Sequence, residues 1–295
     1  MRRTPVRQHT IPRTERAASS EVSELPPHIP EDRPEQLPIV DIRAYLRIAL
    51  NSAVTAVFGN DVASSCDYVV AQPRRRVRGH LYSPLALGLA PQLKLEPEAI
   101  ARAIVEASVW DSAVVDDPRQ NVVGGFINFR MSRAYLHRVL LAAVTAPGIP
   151  ERDLATAPPR TTLFEVADAR FAERMAIFHA RQCSLLRHVA VQGFSESDVQ
   201  GANAALLVAP EEVEVLVQLA EFPHVLAQAA AAAGPLRITT YVEGLAAAFH
   251  AFYQKHRVVS GDRALSAGRL QLTCGVRNVV RVALRLLGVS SPESM

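Results

Sequence analysis

From residue 166 onward the chain places an apolar side chain at every third or fourth position and offers no convincing period-two run, which commits that half to helices. Residues 171 to 191, 211 to 233, 237 to 255 and 268 to 287 carry the pattern. In the third of these, Tyr241, Leu245, Phe249, Phe252 and Tyr253 fall on one helical face, while Glu243, His250 and Gln254 fall elsewhere. Helices with one apolar face bury it against one another, so an all-α bundle is expected here. No repeat at solenoid period accompanies it, and the run from Ala229 to Ala233 reads as a close-packing helical segment.

Upstream, Pro147, Gly148, Pro150, Pro158 and Pro159 crowd a segment that sustains neither a helix nor a central strand. The expected division is a tail over 1–37, a first folded domain over 38–145, a proline-rich linker over 146–165 and the bundle over 166–295. The tail holds six prolines from Pro5 to Pro34 and few large apolar residues, a composition that cannot repay the entropy of folding. In the first domain, Ile42, Leu46, Leu50, Val54, Val57 and Phe58 form a helical stripe that stops at Gly59. A short strand is expected over 68–71, a basic turn from Arg74 to Gly79, and two helices over 84–93 and 97–108. Val114-Val115 and residues 122–131 flank Asp116-Asp117-Pro118-Arg119, which suggests a hairpin, and Ser132 is placed to cap a last helix reaching about Thr145. The domain is therefore α+β, a small sheet with helices.

Composition narrows the function classes. A net charge of +3 is too weak a field to argue for nucleic acid by itself. The cations are nearly all arginine, only Lys94 and Lys255 being lysine; that suits phosphate forks and base stacking, and equally suits the codon bias of a GC-rich genome. Cys66, Cys183 and Cys274 lie far apart, so neither a disulfide framework nor a Cys-x-x-Cys metal site is expected. No uncharged apolar run reaches bilayer length and no signal-peptide core opens the chain, so the expectation is a cytoplasmic protein with no membrane and no metal.

Three motifs bear on chemistry. Along Gly124-Gly125-Phe126-Ile127-Asn128-Phe129, alternation sends Ile127, Phe129 and Met131 to one face and Phe126, Asn128 and Arg130 to the other. An aromatic ring, an amide and a guanidinium on one surface can stack on a splayed base, read its edge and hold a phosphate; an ordinary amphipathic strand has the same periodicity. His179-Ala180-Arg181 sits in a helix with Ile177, Phe178, Leu185 and Leu186, where a lone histidine is by default a surface or packed residue. Arg269, Arg277, Arg281 and Arg285 recur at multiples of four, a solvated stripe by default and a phosphate rail as the alternative.

The order Phe222-Pro223, Tyr253, Val258-Val259, Arg269-Leu270, Leu287-Gly288-Val289, Pro292, Glu293 and a terminal Met295 resembles the DALR anticodon-binding domain of arginyl-tRNA synthetases. Gly125-Phe126-Ile127-Asn128-Phe129, preceded by Ile100-Ala101 and Ile104, is similar to the signature closing that family's N-terminal domain. His179-Ala180-Arg181 resembles its Tyr-Ala-His-Ala-Arg helix, with Ile177 standing where the family has tyrosine. Gly79 is followed by His80-Leu81-Tyr82-Ser83-Pro84, where the family has an aspartate and a short aromatic or asparagine run.

The resemblance implies a D-loop contact through Phe126 and Asn128, beside which Arg130 is a tRNA-binding candidate from its place on the same strand face, and anticodon contacts near Tyr253 and Met295. Arg181, Lys255, Arg257 and Arg269 join as tRNA-binding candidates, with phosphate contacts from the last three. The family's catalytic core, with its His-x-Gly-His and Lys-Met-Ser-Lys motifs, has no counterpart between the two similar regions. Nor is there a phosphate-binding glycine loop, a nucleophile elbow or a His-Glu-x-x-His helix. The expectation is a noncatalytic tRNA-binding protein without a cofactor, its partner tRNA, above all arginine tRNA. The rivals are a regulatory module docking on a synthetase or other protein, and a tRNA-binding component assisting aminoacylation in trans.

Overall fold

Helix α1 (Ile42–Phe58) starts where the Asp41 carboxylate accepts the N–H groups of Arg43 and Ala44, and stops at Gly59, whose φ of 87° suits a residue without a β-carbon. The computed structural model describes residues 41–145, 168–232 and 234–294. The tail over 1–37 and the linker over 146–165 therefore lie outside the described residues. Ile42, Leu46, Leu50 and Val54 bury the expected stripe, while Val57 is left exposed.

A short helix α2 (Asn60–Ser64) follows, then α3 (Leu85–Leu93) and α4 (Pro97–Ala107), the latter opening on proline as its sequence implied. Helices α3 and α4 back a three-stranded antiparallel sheet of order β1–β3–β2, with β1 Leu81–Ser83, β2 Val122–Val123 and β3 Phe126–Phe129.

Two local expectations are corrected. Residues 68–71 form no strand: the Tyr68 hydroxyl donates to Ala63 O at 3.0 Å, and only Ala71 bridges to Tyr82. The strand formed in this part of the chain is β1, which pairs with β3 on the side away from β2 and whose Leu81 and Ser83 are both fully buried. The hairpin turns at Gly124 (φ 58°) and Gly125 (φ 83°), not at Asp116 to Arg119. Positive φ at both central residues matches the twist of the flanking strands. Residues Pro118–Asn121 form a 3₁₀ turn instead, and Val115 touches Met131 through a single bridge.

Helix α5 (Arg133–Thr145) is capped by the Ser132 hydroxyl, which accepts the Tyr135 N–H at 3.1 Å. The rest is helical: α6 (Ala169–Val191), α7 (Glu196–Gln200), a 3₁₀ turn at Ala204–Leu206, α8 (Pro210–Ala220), α9 (Phe222–Ala232), α10 (Leu236–Lys255) and α11 (Arg263–Leu286). The apolar stretch read as one helix over 211–233 is thus two. It breaks at Glu221, whose carboxylate turns inward to the Arg43 guanidinium. Residues Pro210–Ala232 alone, among those described, are long and apolar enough to cross a membrane. Val215, Leu216, Val217 and Leu219 of that stretch lie in the core.

The α+β region and the bundle share one continuous hydrophobic core. Helix α5 lies against α8 and α11, where Gly275 leaves room for Leu140: a β-carbon there would stand 2.8 Å from Leu140 Cδ1. Asn278 seals the end of the seam, its amide donating to Ala143 O at 3.0 Å and Val144 O at 3.2 Å. Across the other side, Arg43 on α1 donates twice to one Glu221 oxygen, at 3.0 and 2.5 Å, and once to Val70 O at 2.6 Å.

Candidate nucleic-acid interface

The β-hairpin tip presents Phe126, whose ring is partly exposed and meets Tyr82 edge-on at 5.7 Å. Strand register sets this pair: Tyr82 faces Asn128 and Val123 faces Phe126, so all four side chains emerge from one face. Tyr82 was not singled out from sequence, although recognising its stretch as a strand would have exposed it. Asn128 behaves differently from its expected reading role. It is buried, and its amide donates to Asn121 O at 2.8 Å, tying the 3₁₀ turn to β3. Arg130 lies four residues beyond Phe126, in the wall of a cleft with Arg76, His80 and Arg133. The structure thus joins Phe126 to Tyr82 and gives Arg130 other neighbours.

A second aromatic surface lies on the bundle. Tyr253 is half exposed and stacks on Phe249 at 6.3 Å and 21°, while Phe249 meets Phe178 and Phe252 edge-on. The stack holds an exposed ring rigid, the arrangement a base needs as a platform. Arg181 is exposed on α6, three residues beyond Phe178 and so on the same side of that helix.

The cations expected around this ring divide. Arg257 is exposed. Lys255 ion-pairs with Glu211, which also meets His256 Nε2 at 3.0 Å; these hydrogen bonds hold the Glu211 carboxyl down at about 2. Arg269 is buried, with Nε on Glu212 Oε1 at 2.7 Å and Nη1 on Arg257 O at 2.8 Å. Its donors hold α11 to α8 and to the loop after α10, and this geometry takes it off the surface where a phosphate contact was expected.

The arginine stripe is no continuous rail. Arg277 binds its neighbour Asn278 Oδ1 at 2.9 Å, Arg281 is half-buried, and Arg285 is exposed. Met295 lies outside the described residues. Just before it, Pro292 O accepts from His179 Nδ1 at 2.9 Å and Glu293 O from Arg187 at 2.9 Å. His179 is thus a packed histidine, kept neutral chiefly by burial. The three cysteines are free, and no three His, Cys, Asp or Glu side chains converge among the described residues.

The geometry just described coincides with two family models: the arginyl tRNA synthetase N terminal domain over residues 41–131 and the DALR anticodon binding domain over residues 175–295. The chain belongs to the arginyl-tRNA synthetase-related proteins, with the helical second region of the DALR type. It is 44% identical over 117 residues to the arginine–tRNA ligase of Desulforamulus reducens, covering 40% of this chain and 21% of that protein. The ligases of Geotalea daltonii and Acinetobacter baumannii are 43% and 42% identical over 117 and 118 residues. The chain therefore spans about a fifth of the length of the curated relatives it matches.

Proposed function

We propose that this protein binds tRNA in the cytoplasm without aminoacylating it, with arginine tRNA as its preferred partner. One observation carries the reading. The two matched domains stand in one chain with only residues 132–174 between them, and within that interval α5 packs directly on α8 and α11. The interval is far too short to hold a nucleotide-binding catalytic domain, which needs on the order of 100 residues or more. What remains is recognition. Phe126 and Tyr82 would stack on unpaired D-loop bases and Tyr253 on the anticodon loop, each stack contributing about 1–3 kcal/mol. Arg181 and Arg257 are the exposed cations that would hold the backbone beside Tyr253, with Lys255 joining if it leaves Glu211.

A second reading has an observation of its own. With Arg269 buried and Lys255 paired, the surface around Tyr253 is less cationic than the charge count suggests, which suits a protein partner such as a synthetase. Filter binding to total tRNA at low salt, with sequencing of the retained RNA, separates the two. Enrichment of arginine tRNA is expected, and no retention at micromolar protein would overturn tRNA binding. Incubation with ATP, arginine and tRNA is expected to give no charging; reproducible arginylation by the pure protein would overturn the noncatalytic reading.

A further inference from the structure

A cleft of about 370 Å³ opens between the end of β3, helix α5 and the start of α8. Its floor is apolar, formed by side chains such as Leu136, Val213 and Leu216, and its wall is cationic, formed by Arg76, Arg130 and Arg133. Arg76 is already engaged, with Nε on Glu214 at 2.7 Å and Nη1 on His80 O at 3.1 Å. Arg130 and Arg133 have no carboxylate partner among the described residues, and each makes only one long contact, at 3.5 Å, to a backbone carbonyl. Asp116 and Glu214 line the cleft as opposing charges, and Glu214 is the one already paired with Arg76.

His80 adds a donor of fixed direction. The residue is 5% exposed, and Nδ1 accepts the Met131 N–H at 3.0 Å, which places the ring proton on Nε2. Burial and the neighbouring Arg130 and Arg76 push its pKa down to about 4, so at neutral pH it donates as an uncharged imidazole. Two unpaired guanidinium forks and a neutral N–H offer more donors than the two oxygens of a carboxylate can accept; a phosphate has the oxygens to take them. The apolar floor lowers the local dielectric and strengthens the attraction. Outside, Arg74, Arg75 and Arg78 stand exposed on the adjoining turn.

We propose that this cleft is a phosphate-binding site, and that the phosphate it takes is one of an RNA backbone passing between the two aromatic surfaces. The assignment to RNA rests on the tRNA-binding reading; the phosphate site does not.

Two measurements keep them apart. Inorganic phosphate, titrated into the full chain and followed by imidazole NMR, is expected to move the His80 resonance in the wild type and not in Arg130→Ala/Arg133→Ala. The salt dependence of tRNA affinity is expected to fall in that variant by roughly 0.7–0.9 units of slope, one phosphate contact being lost. Arg130→Lys/Arg133→Lys, which keeps the charge, is expected to restore most of the slope and shows that loss does not come from misfolding. A His80 response with an unchanged salt slope, or with no tRNA binding at all, supports the site and assigns it to a free phosphate ester in place of RNA. A His80 resonance unmoved by phosphate together with an unchanged slope overturns the proposal.

Discussion

The ion pair between Arg43 and Glu221 is the sharpest test of how the two regions hold together. Both side chains are almost completely buried, three guanidinium donors are engaged, and Glu221 Oε1 has no hydrogen-bond partner among the described residues. Arg43→Ala strands a buried carboxylate and the Val70 carbonyl, a loss of about 3–5 kcal/mol on the scale of broken buried pairs. For a fold of this size each kcal/mol moves Tm by roughly 2–4 °C, so a fall of roughly 6–20 °C is expected. The pair itself adds little net stability, because removing two charges from water offsets most of their attraction and one Glu221 oxygen is left unsatisfied. Arg43→Met combined with Glu221→Met is therefore expected to match or exceed the wild type by about 1–4 kcal/mol. Urea unfolding followed by circular dichroism, arranged as a double-mutant cycle, reads both numbers. An Arg43→Ala penalty below about 1 kcal/mol, or a double variant as damaged as the sum of its singles, would refute the argument.

Three further outcomes follow from the same geometry. Tyr253→Ala is expected to weaken tRNA binding by about 1–3 kcal/mol while Arg285→Ala leaves it nearly unchanged; filter binding that reverses this order would misplace the anticodon surface. Gly125→Ala is expected to cost clearly more thermal stability than Gly124→Ala. Both have positive φ, but only at Gly125 would a β-carbon meet another atom, Pro97 Cβ at 2.6 Å; equal shifts would deny that contact its role. Burial holds His80 and His224 at about 4, below the ordinary histidine value, so the unfolded chain binds more protons from about pH 6.5 downward. Stability is expected to be fully present above that pH and to fall as pH drops toward 4. His80→Asn, which keeps an acceptor for the Met131 N–H, should flatten the profile, and an unaltered slope in urea unfolding would count against His80.

The helices were legible because the 3.6-residue period is local. Ile42 to Val54 and Tyr241 to Phe252 state their buried faces in sequence, and Gly59 and Ser132 announce a helix stop and a helix start. What escaped depends on distant partners. The break at Glu221 serves an arginine 178 residues away, and nothing in the apolar run around it signals that. Strand β1 is three residues long and becomes a strand only by lying beside β3, so its composition could not identify it. The candidate sites divide by the same rule. Phe126 and Tyr253 emerge as exposed aromatics, whereas Asn128, Lys255 and Arg269 show a charge or an amide in sequence but not the carbonyl or carboxylate that claims it.

The seam of α5 against α8 and α11 has a mechanical consequence. Two recognition modules on a flexible tether reach ligands of many lengths, and selectivity for span is lost as the tether grows. With Leu140 seated at Gly275 and Asn278 locked to the end of α5, the separation between the hairpin tip and the Tyr253 ring is set by the fold itself. If the protein binds tRNA as proposed, such a body would work as a caliper: an RNA touching both tips would need the matching spacing already, and one with a longer or shorter arm would forfeit one contact entirely.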